Sequence, residues 1–284
     1  MTAFDVRSLA ATTSTNDEVK RAMEAGAFEG LVVRALRQTG GYGRQGRVWS
    51  SPEGGLYLSM LLRPKVPAAQ LPTLSLVVSL AVRRALVALA DPEAAASILI
   101  KWPNDLVVSA AGKPLEEADA AETPADAPRQ PAGVQPAGGA DYRKICGISL
   151  EAHAGGVCVG VGVNVRAPSE RPDVGGKNEP AYLDELASRL AAAPLDAALD
   201  RTCEALLCRF DPLYGAWQRD GFAPLLDEYN AHASLAGRAV RMVDRMGEPI
   251  ASGVVSQVDA FGRLVLRDES GADVFAASGE AHIV

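Results

Sequence analysis

The chain has few aromatic residues, few histidines and few cysteines. Of its 284 residues, 5% are aromatic, three are histidine and four are cysteine. The cysteines lack C-x-x-C spacing, which excludes a paired-thiolate zinc site, and three of the four lie in apolar runs typical of reduced core thiols. No Ser/His or Cys/His pair lies in a setting that indicates a covalent nucleophile. The chemistry of the protein must therefore come from other side chains.

A second set of absences concerns charge, targeting and nucleotide motifs. The formal net charge of −7 disfavours non-specific binding to nucleic acid. The first residues contain no apolar signal core and no run reaches transmembrane length, which predicts a cytoplasmic protein without membrane contact. No G-x-x-x-x-G-K-[ST] sequence is present, so a nucleotide would not be held by a P-loop. A length of 284 residues with 48% hydrophobic content predicts one large domain and a small one.

The most informative segment runs from Gln38 to Trp49. It follows an apolar run and contains four glycines and two arginines but no acidic residue. Glycine leaves backbone N–H groups open to an anion, and arginine offers fork-shaped, charge-assisted donors. Gly41-x-Gly43-x-x-Gly46 matches a dinucleotide fingerprint, but no helix follows it and no acidic residue stands about 20 positions on. The pattern favours a loop that closes over an anionic small molecule; a mobile surface loop is the plainer alternative.

Hydrophobic periodicity predicts an α+β chain around this loop. Capping-box spacing of Thr15 and Glu18, with Gly26 as a stop, predicts a short helix, although an ordinary N-cap explains the same residues. A second helix is expected from about Pro72 to Ala90, and mainly helical structure over 180–232. Strands are expected at 30–36, 97–102, 106–108, 144–151 and 157–165.

Two changes of composition predict the domain organisation. Residues 115–140 hold alanine, proline, glycine and acids without aromatics, and are predicted to be an unstructured loop between two strands of one sheet. After residue 233, short alternating segments separated by glycines predict a small β-barrel. We therefore expect a large domain over 1–232, with 115–140 as an insertion, and a small β domain over 233–284.

Two further clusters suggest chemistry. Lys101-Trp102-Pro103-Asn104-Asp105 places a cation, an amide and a carboxylate in a turn between apolar strands. There Lys101 can neutralise phosphate, and Asp105 can hold a metal ion or steer an amine. An Asx-turn is the structural alternative. Lys144 opens an apolar strand, where it is either functional or simply solvated.

The order of these motifs resembles that of the biotin–protein ligases. The resemblance rests on Ser14-Thr15-Asn16, the Gln38–Trp49 loop with Ser51-Pro52, Lys101 to Asp105, Lys144-x-x-Gly147-Ile148 with Glu151, and Gly160-x-Gly162-x-Asn164. It covers nearly the whole chain. It implies a mixed-sheet, class II synthetase-like catalytic domain followed by an SH3-like β-barrel. Because 13 residues precede Ser14, too few for a winged helix-turn-helix, the resemblance is to the monofunctional type and no specific DNA binding is expected.

The resemblance also implies an activity and a set of site residues. Biotin and ATP would give biotinyl-5′-AMP, with Mg²⁺, and biotin would pass to a lysine of the biotin carboxyl carrier protein of acetyl-CoA carboxylase or of another biotin-dependent carboxylase. A homodimer is left open. The implied catalytic residues are Lys144, Arg44, Asp105 and Lys101, with Asp105 also the candidate metal ligand. The implied biotin-binding residues are Ser14, Thr15, Asn16, Gln38, Gly41, Tyr42, Gly43, Arg44, Lys144 and Gly147. The implied ATP and adenylate residues are Arg44, Arg47, Trp49, Asn104, Asp105, Gly160, Gly162 and Asn164.

The chain departs from the family pattern in its loop, which is typically Gly-Arg-Gly-Arg-Arg-Gly-Arg. Tyr42 and Gln45 stand where arginines are usual, and Tyr42 can stack or hydrogen-bond but cannot neutralise charge. Two rival functions remain at this level: a ligase for lipoate or octanoate, and a biotin-sensing scaffold without catalysis. The scaffold would be favoured if Lys144, Arg44 or Asp105 were missing, and all three are present.

Overall fold

Two β-sheets with helices on the first of them make up the described part of the chain. The computed structural model describes residues 4–109, 142–168 and 179–284. The first sheet and its helices comprise β1 (Asp5–Thr12), α1 (Thr15–Glu24), β2 (Leu31–Gln38), β3 (Gly55–Leu62), α2 (Leu74–Leu89), β4 (Ile98–Lys101), β5 (Asp105–Ser109), β6 (Tyr142–His153) and β7 (Gly156–Asn164). Three helices follow, α3 (Ser188–Ala191), α4 (Leu195–Asp220) and α5 (Leu226–Ala231). The second sheet comprises β8 (Ala239–Val243), β9 (Pro249–Val258), β10 (Leu264–Arg267), β11 (Asp273–Ala276) and β12 (Glu280–Ile283).

The first sheet is mixed, and its central strand β3 is buried on both faces. Its seven strands run in the order β1-β2-β3-β7-β6-β5-β4, and only the pairing of β1 with β2 is parallel. Along β2, Leu31 and Val33 pack toward α1 while Val32 packs into the main core with α2 and α4. This alternation follows from the two-residue period of a strand. Because helices cover both faces, β3 is buried at every position.

Helix α2 and the turn before it form an apolar stretch long enough to cross a membrane by length and composition. The stretch Ala68–Leu89 has a mean hydropathy of 1.6 over its apolar window, and 67% of that window is buried inside the protein. The expectation that no run reaches transmembrane length is therefore wrong on those two criteria. The burial is that of a helix packed on α4 and the sheet.

The second sheet shares the hydrophobic core of the first. Its five strands run in the order β11-β10-β9-β8-β12. Val240, Met242 and Leu264 belong to the same buried cluster as α2 and α4. Trp102 Nε1 donates to the Gly262 carbonyl at 2.9 Å, joining the end of β4 to the β9–β10 turn. A small C-terminal β-sheet is thus confirmed, and its closure into an SH3-like barrel stays a prediction.

Several sequence expectations are confirmed and several elements were not foreseen. The predicted positions are confirmed for helix α2 and for strands β2 and β4 to β7. The short alternating segments expected after residue 233 are strands β8 to β11. Strands β1, β3 and β12 were not predicted. The capping box is wrong: Ser14 is the N-cap, and Glu18 accepts from Thr12 Oγ1 at 2.6 Å instead of capping Thr15. Residues 115–140 lie outside the described residues, but β5 and β6 on either side pair antiparallel in one sheet, as expected.

Candidate functional site

One cavity of about 600 Å³ collects the sequence-predicted residues. It lies on the first sheet, beneath the Gln38–Trp49 loop, and the second sheet closes one side through Arg245 and Gly279. The predicted residues that line it are Ser14, Thr15, Asn16, Gln38, Tyr42, Gly43, Arg44, Arg47, Trp49, Lys101, Asn104, Asp105, Lys144, Gly147, Gly160, Gly162 and Asn164. Gly41 does not line the cavity, because it is buried within the base of the loop. A Cβ at this position would lie 2.5 Å from Ser51 Oγ and 2.8 Å from Gln38 Nε2.

The first part of the floor is a series of hydrogen bonds that begins at the N-terminus of α1. The Thr15 backbone N–H donates to Gln38 Oε1 at 2.8 Å, and Thr15 Oγ1 is 3.1 Å from the same atom. Gln38 Nε2 donates to Ser51 Oγ at 2.9 Å, and Ser51 Oγ donates to the Trp49 carbonyl at 3.0 Å. Thr15 is buried, so these bonds fix its rotamer and that of Gln38. The floor therefore presents preset polar groups.

The second part of the floor centres on Asn16. Ser59 Oγ lies 2.6 Å from Asn16 Oδ1, and Asn16 Nδ2 donates to Ser149 Oγ at 3.3 Å. A Cβ on Gly160 would stand 2.4 Å from Asn16 Oδ1 and 2.6 Å from Ser149 Oγ. Only glycine leaves room there for the asparagine. The structure thus places Gly160 with the Asn16 group, whereas the resemblance groups it with the adenylate residues.

Trp49 lies on a pair of glycines. Gly147 on β6 and Gly162 on β7 are cross-strand partners, and a Cβ on either would come within 2.9 Å of the Trp49 indole. Glycine in a strand marks the close approach of another group, and here that group is the indole. Trp49 Nε1 is buried and has no hydrogen-bond partner in the described part of the chain. The indole ring thus lines the cavity, with its Nε1–H buried against Gly162.

Lys144 and Asp105 form an ion pair across neighbouring strands. Lys144 Nζ lies 2.8 Å from Asp105 Oδ1 and 5.1 Å from the centroid of the Trp49 ring. Asp105 Oδ1 is buried, and it accepts no hydrogen bond from the described residues. Its contact with Lys144 is therefore an ion pair without a hydrogen bond. Asn164 Nδ2 donates to the Lys144 carbonyl at 3.1 Å, which fixes the backbone that carries the lysine. Asn104 Nδ2 similarly donates to the Ile148 carbonyl at 2.8 Å.

The arginines of the loop reach the second sheet. Arg47 Nη2 donates to Glu280 Oε2 at 2.6 Å, and Arg44 Nη1 lies 3.4 Å from the Gly279 carbonyl. The hydrogen bond from Arg47 holds the pKa of Glu280 below its ordinary value. Burial, followed by repulsion from Arg245, lowers the pKa of Arg44. The loop therefore bridges the two sheets over the cavity and keeps the half-buried guanidinium of Arg44 beneath it.

Sequence reasoning missed Lys20, which supports the site, and Arg245, which lines the cavity. Lys20 joins Tyr42 to Glu151 beside the cavity, and its position four residues after Asn16 on α1 is the signal that could have found it. Arg245 comes from the turn after β8 and lines the cavity near Arg44. Nothing in its local sequence marks Arg245, because the second sheet must fold against the first before it reaches the site.

The described residues form no cage for a metal ion. No group of three or more His, Cys, Asp or Glu side chains with metal-ligand geometry occurs in residues 4–109, 142–168 and 179–284. Asp105, the candidate ligand, already faces Lys144 at 2.8 Å. Mg²⁺ is commonly bound through one or two carboxylates together with substrate phosphates. The residues present do not by themselves fit a resident magnesium site.

A cavity with a polar floor and a cationic loop is typical of an enzyme that binds an anionic small molecule. Comparisons with known proteins specify the class. Residues 9–166 match the model of the biotin/lipoate A/B protein ligase family. The biotin–[acetyl-CoA-carboxylase] ligase of Paracoccus denitrificans is 30% identical over 95% of this chain and 97% of its own length. That of Mycobacterium tuberculosis is 29% identical over 96% of this chain and 86% of its own length.

A solved structure agrees with this match at the level of the fold. The biotin protein ligase of Aquifex aeolicus, solved in complex with biotin and ATP, has a TM-score of 0.71 and 24% identity over 99% of this chain and 98% of its own. The chain therefore belongs to the biotin/lipoate A/B protein ligase family. Its enzyme class is that of a ligase.

Proposed function

We propose that the protein is an ATP-dependent biotin–protein ligase. The observation that carries this proposal is that the Lys144 ammonium and the Arg44 guanidinium face the same cavity as the hydroxyl and amide groups of Thr15, Asn16 and Gln38. These cations would suit a carboxylate that meets a phosphate, and the neutral polar groups beside them would suit an uncharged ring. Relatives of nearly the same length with this activity support the assignment.

The polar floor would bind the biotin head. The ureido ring of biotin has one carbonyl acceptor and two N–H donors, which hydroxyl and carboxamide groups can match. Thr15, Asn16 and Gln38 are held in fixed orientations by their neighbours, so binding would cost little side-chain entropy. Ser14 and Gly147 complete this proposed subsite, with the loop from Gly41 to Arg44 above it. The biotin carboxylate would then point toward Lys144.

The cations would serve the first step of the reaction. A carboxylate oxygen of biotin attacks the α-phosphorus of ATP, the new P–O bond forms, and pyrophosphate leaves with the electrons of the broken P–O bond. Such a step needs fixed positive charge more than a nucleophile from the protein. Lys144 would neutralise the junction of carboxylate and phosphate, and Arg44 would hold the adenylate by fork-shaped hydrogen bonds. Lys101, at the cavity wall, would neutralise the leaving phosphates.

The adenylate would extend over Trp49 and the glycines beneath it. The indole, supported by Gly147 and Gly162, offers a flat surface to a base. Arg47, Asn104, Asp105 and Asn164 are the other proposed residues of this side, whereas Gly160, which the resemblance groups with them, is assigned to the biotin side because it lies against Asn16. In the second step the acceptor lysine nitrogen attacks the acyl carbon, AMP leaves, and the ammonium proton is lost. Asp105 would steer the incoming amine once Lys144 engages the ligand.

Magnesium, the acceptor and the domain boundary complete the proposal. Mg²⁺ would enter with the phosphates of ATP, because the described residues form no cage for it. The acceptor is the biotin carboxyl carrier protein of acetyl-CoA carboxylase, with carriers of other biotin-dependent carboxylases as further substrates. Residues 1–232 would form the catalytic domain and residues 233–284 an SH3-like domain, in a cytoplasmic enzyme that does not bind DNA. Whether it forms a homodimer is a question for sedimentation.

A two-stage assay tests the function. The full-length protein is incubated with ATP and either biotin, lipoate or octanoate, and the adenylate formed is identified by mass spectrometry. We expect biotinyl-5′-AMP alone. A carrier domain is then added, with its acceptor lysine replaced by arginine as the control, and labelled biotin should reach only the unaltered carrier. An adenylate of lipoate or octanoate would assign the protein to the other branch of its family, and no adenylate at all would favour a non-catalytic sensor.

A further inference from the structure

Tyr42, where the family loop usually has arginine, binds helix α1 through two hydrogen bonds. Its hydroxyl donates to Asp17 Oδ1 at 2.7 Å and accepts from Lys20 Nζ at 2.6 Å. Lys20 also donates to Glu151 Oε2 at 3.0 Å on β6. The ammonium lies 5.2 Å from the centroid of the Tyr42 ring, within the range of a cation–π contact. One phenol thus connects the loop to a helix and a strand.

The environment of Tyr42 is partly desolvated. Burial, helped by the hydrogen bond to Asp17 and opposed by the one from Lys20, raises the pKa of Tyr42 to about 12, so the phenol is neutral at physiological pH. Burial acts to lower the pKa of Lys20, but the hydrogen bonds that it donates to Tyr42 and Glu151 outweigh burial and raise that pKa. The lysine is therefore charged, and its bond to the phenol is charge-assisted.

These contacts continue into the floor of the cavity. Glu151 Oε1 accepts from Asn16 Nδ2 at 3.3 Å. Ser59 Oγ lies 2.6 Å from Asn16 Oδ1 and 2.8 Å from Thr15 Oγ1. From Thr15 the hydrogen bonds described above lead through Gln38 to the Trp49 carbonyl. The series thus starts at one end of the loop and returns to the other, passing through the residues proposed to bind biotin.

An arginine at this position could not make the same contacts. Arginine has no acceptor atom, so it could not accept the hydrogen bond from Lys20, and its charge would repel the ammonium. Tyr42 and Lys20 are therefore a matched pair. At position 42 the loop loses a cation relative to the family pattern and gains an attachment to α1.

We propose that Tyr42 is a positioning residue that fastens the cationic loop over the cavity before any ligand binds, and that this attachment slows release of the acyl-adenylate. The second half of this statement rests on the proposed function, because the retained ligand is the adenylate. Hydrogen bonds to charged groups are stronger than neutral ones, and partial exposure weakens this one. We expect loss of the attachment to change loop opening about tenfold.

The first test needs no ligand. Trypsin needs the half-buried Arg44 side chain, so the rate of cleavage after Arg44 should rise when the loop opens and, followed by mass spectrometry, measures the attachment, while cleavage after the exposed Arg47 is followed beside it. Tyr42→Phe and Lys20→Met should each raise that rate about tenfold. Tyr229→Phe is the matched control, because its buried hydroxyl has no partner among the described residues, and it should leave the rate unchanged. Should Tyr42→Phe fail to fold, Lys20→Met reports on the same contact.

The double variant and the adenylate complete the test. If the two side chains act through one contact, Tyr42→Phe/Lys20→Met should cleave no faster than the faster single variant. Release of preformed biotinyl-5′-AMP from Tyr42→Phe should also be about tenfold faster than from the wild type. Unchanged cleavage, additive effects or unchanged release would overturn the proposal. A wild-type protein that makes no adenylate would refute the proposed function, while the cleavage result would still decide whether Tyr42 fastens the loop.

Discussion

The Nζ atom of Lys144 lies 2.8 Å from Oδ1 of Asp105, and both side chains line the cavity. They stand on β6 and β5, neighbouring antiparallel strands. The Lys144 and Asp105 side chains are 20% and 25% exposed, so the pair is partly screened by water. Asp105 Oδ1 accepts no hydrogen bond from the described residues, so the contact with Lys144 is an ion pair alone. The Asp105 carboxylate thus holds the Lys144 ammonium at the position that we propose for the junction of the substrate carboxylate and phosphate. Those two groups would replace Asp105 as the partner of the ammonium.

Replacing Lys144 with alanine should slow adenylate formation by about 10²–10³-fold, the usual cost of losing one preorganised charge donor. Single-turnover release of pyrophosphate measures this step directly. Lys65→Ala, an exposed lysine outside the cavity, serves as the control and should leave the rate unchanged. Near-normal pyrophosphate release by Lys144→Ala would show that the lysine is merely solvated.

Arg44→Gly should leave adenylate synthesis largely intact but weaken retention of the adenylate, because a bidentate contact over the intermediate is lost. The released adenylate should then biotinylate bystander proteins, which blotting with streptavidin detects. Because glycine also frees the backbone, Arg44→Gln is the matched variant that removes charge alone. Retention equal to that of the wild type in both variants would mean that Arg44 does not hold the intermediate.

Alanine at Gly160 and alanine at Gly162 should each impair the binding of a different substrate in the cavity. The Cβ at Gly160 would meet Asn16 Oδ1 at 2.4 Å, and that at Gly162 would meet Trp49 Nε1 at 2.7 Å. We therefore expect Gly160→Ala to weaken biotin binding and Gly162→Ala to weaken ATP binding, each by about tenfold or more, since overpacking costs about 1–3 kcal/mol. Calorimetry with each substrate alone measures both. Equal effects on both substrates in either variant would contradict this division.

Arg245→Gln should raise the KM for ATP several-fold and leave biotin affinity unchanged. Arg245 lines the cavity near Arg44, and no ion pair joins it to an acidic residue in the described ranges. Removing one such cation from a phosphate site costs on the order of 1 kcal/mol. Arg241→Gln, on the same strand-turn segment but outside the cavity, is the control. A KM for ATP that matches the control would exclude Arg245 from the phosphate site.

Elements with a clear period could be predicted from the sequence, and those without one could not. Strands β4 to β7 and helix α2 have apolar patterns that local sequence displays. Strand β3 is buried throughout because helices cover both faces of the sheet, so it shows no alternation. Strand β1 is exposed at most positions at the edge of the sheet, so it has no apolar pattern at all.

The same distinction holds for the site. Residues in compact motifs, such as Thr15 or Lys144, stood out because neighbours in the chain mark them. The contact between Lys20 and Glu151 joins residues 131 positions apart, and only the pairing of strands reveals it. The sequence marks Gly162 as a point of close approach, but it does not show that Trp49 is the group that approaches. Trp49 reaches β7 only because the loop folds back on itself through the β-bridges between Gln38 and Ser51 and between Tyr42 and Val48.

The buried cluster shared by α2, α4 and the second sheet has a thermodynamic consequence. Because one core spans both sides of residue 232, unfolding of either sheet removes buried contacts from the other. The protein should therefore unfold in one cooperative transition rather than two. A biotin analogue that touches only the first sheet should then raise the melting temperature of residues 233–284 by the same amount as that of the remainder. Heat capacity scans, with hydrogen exchange resolving each sheet, would register this as a single event.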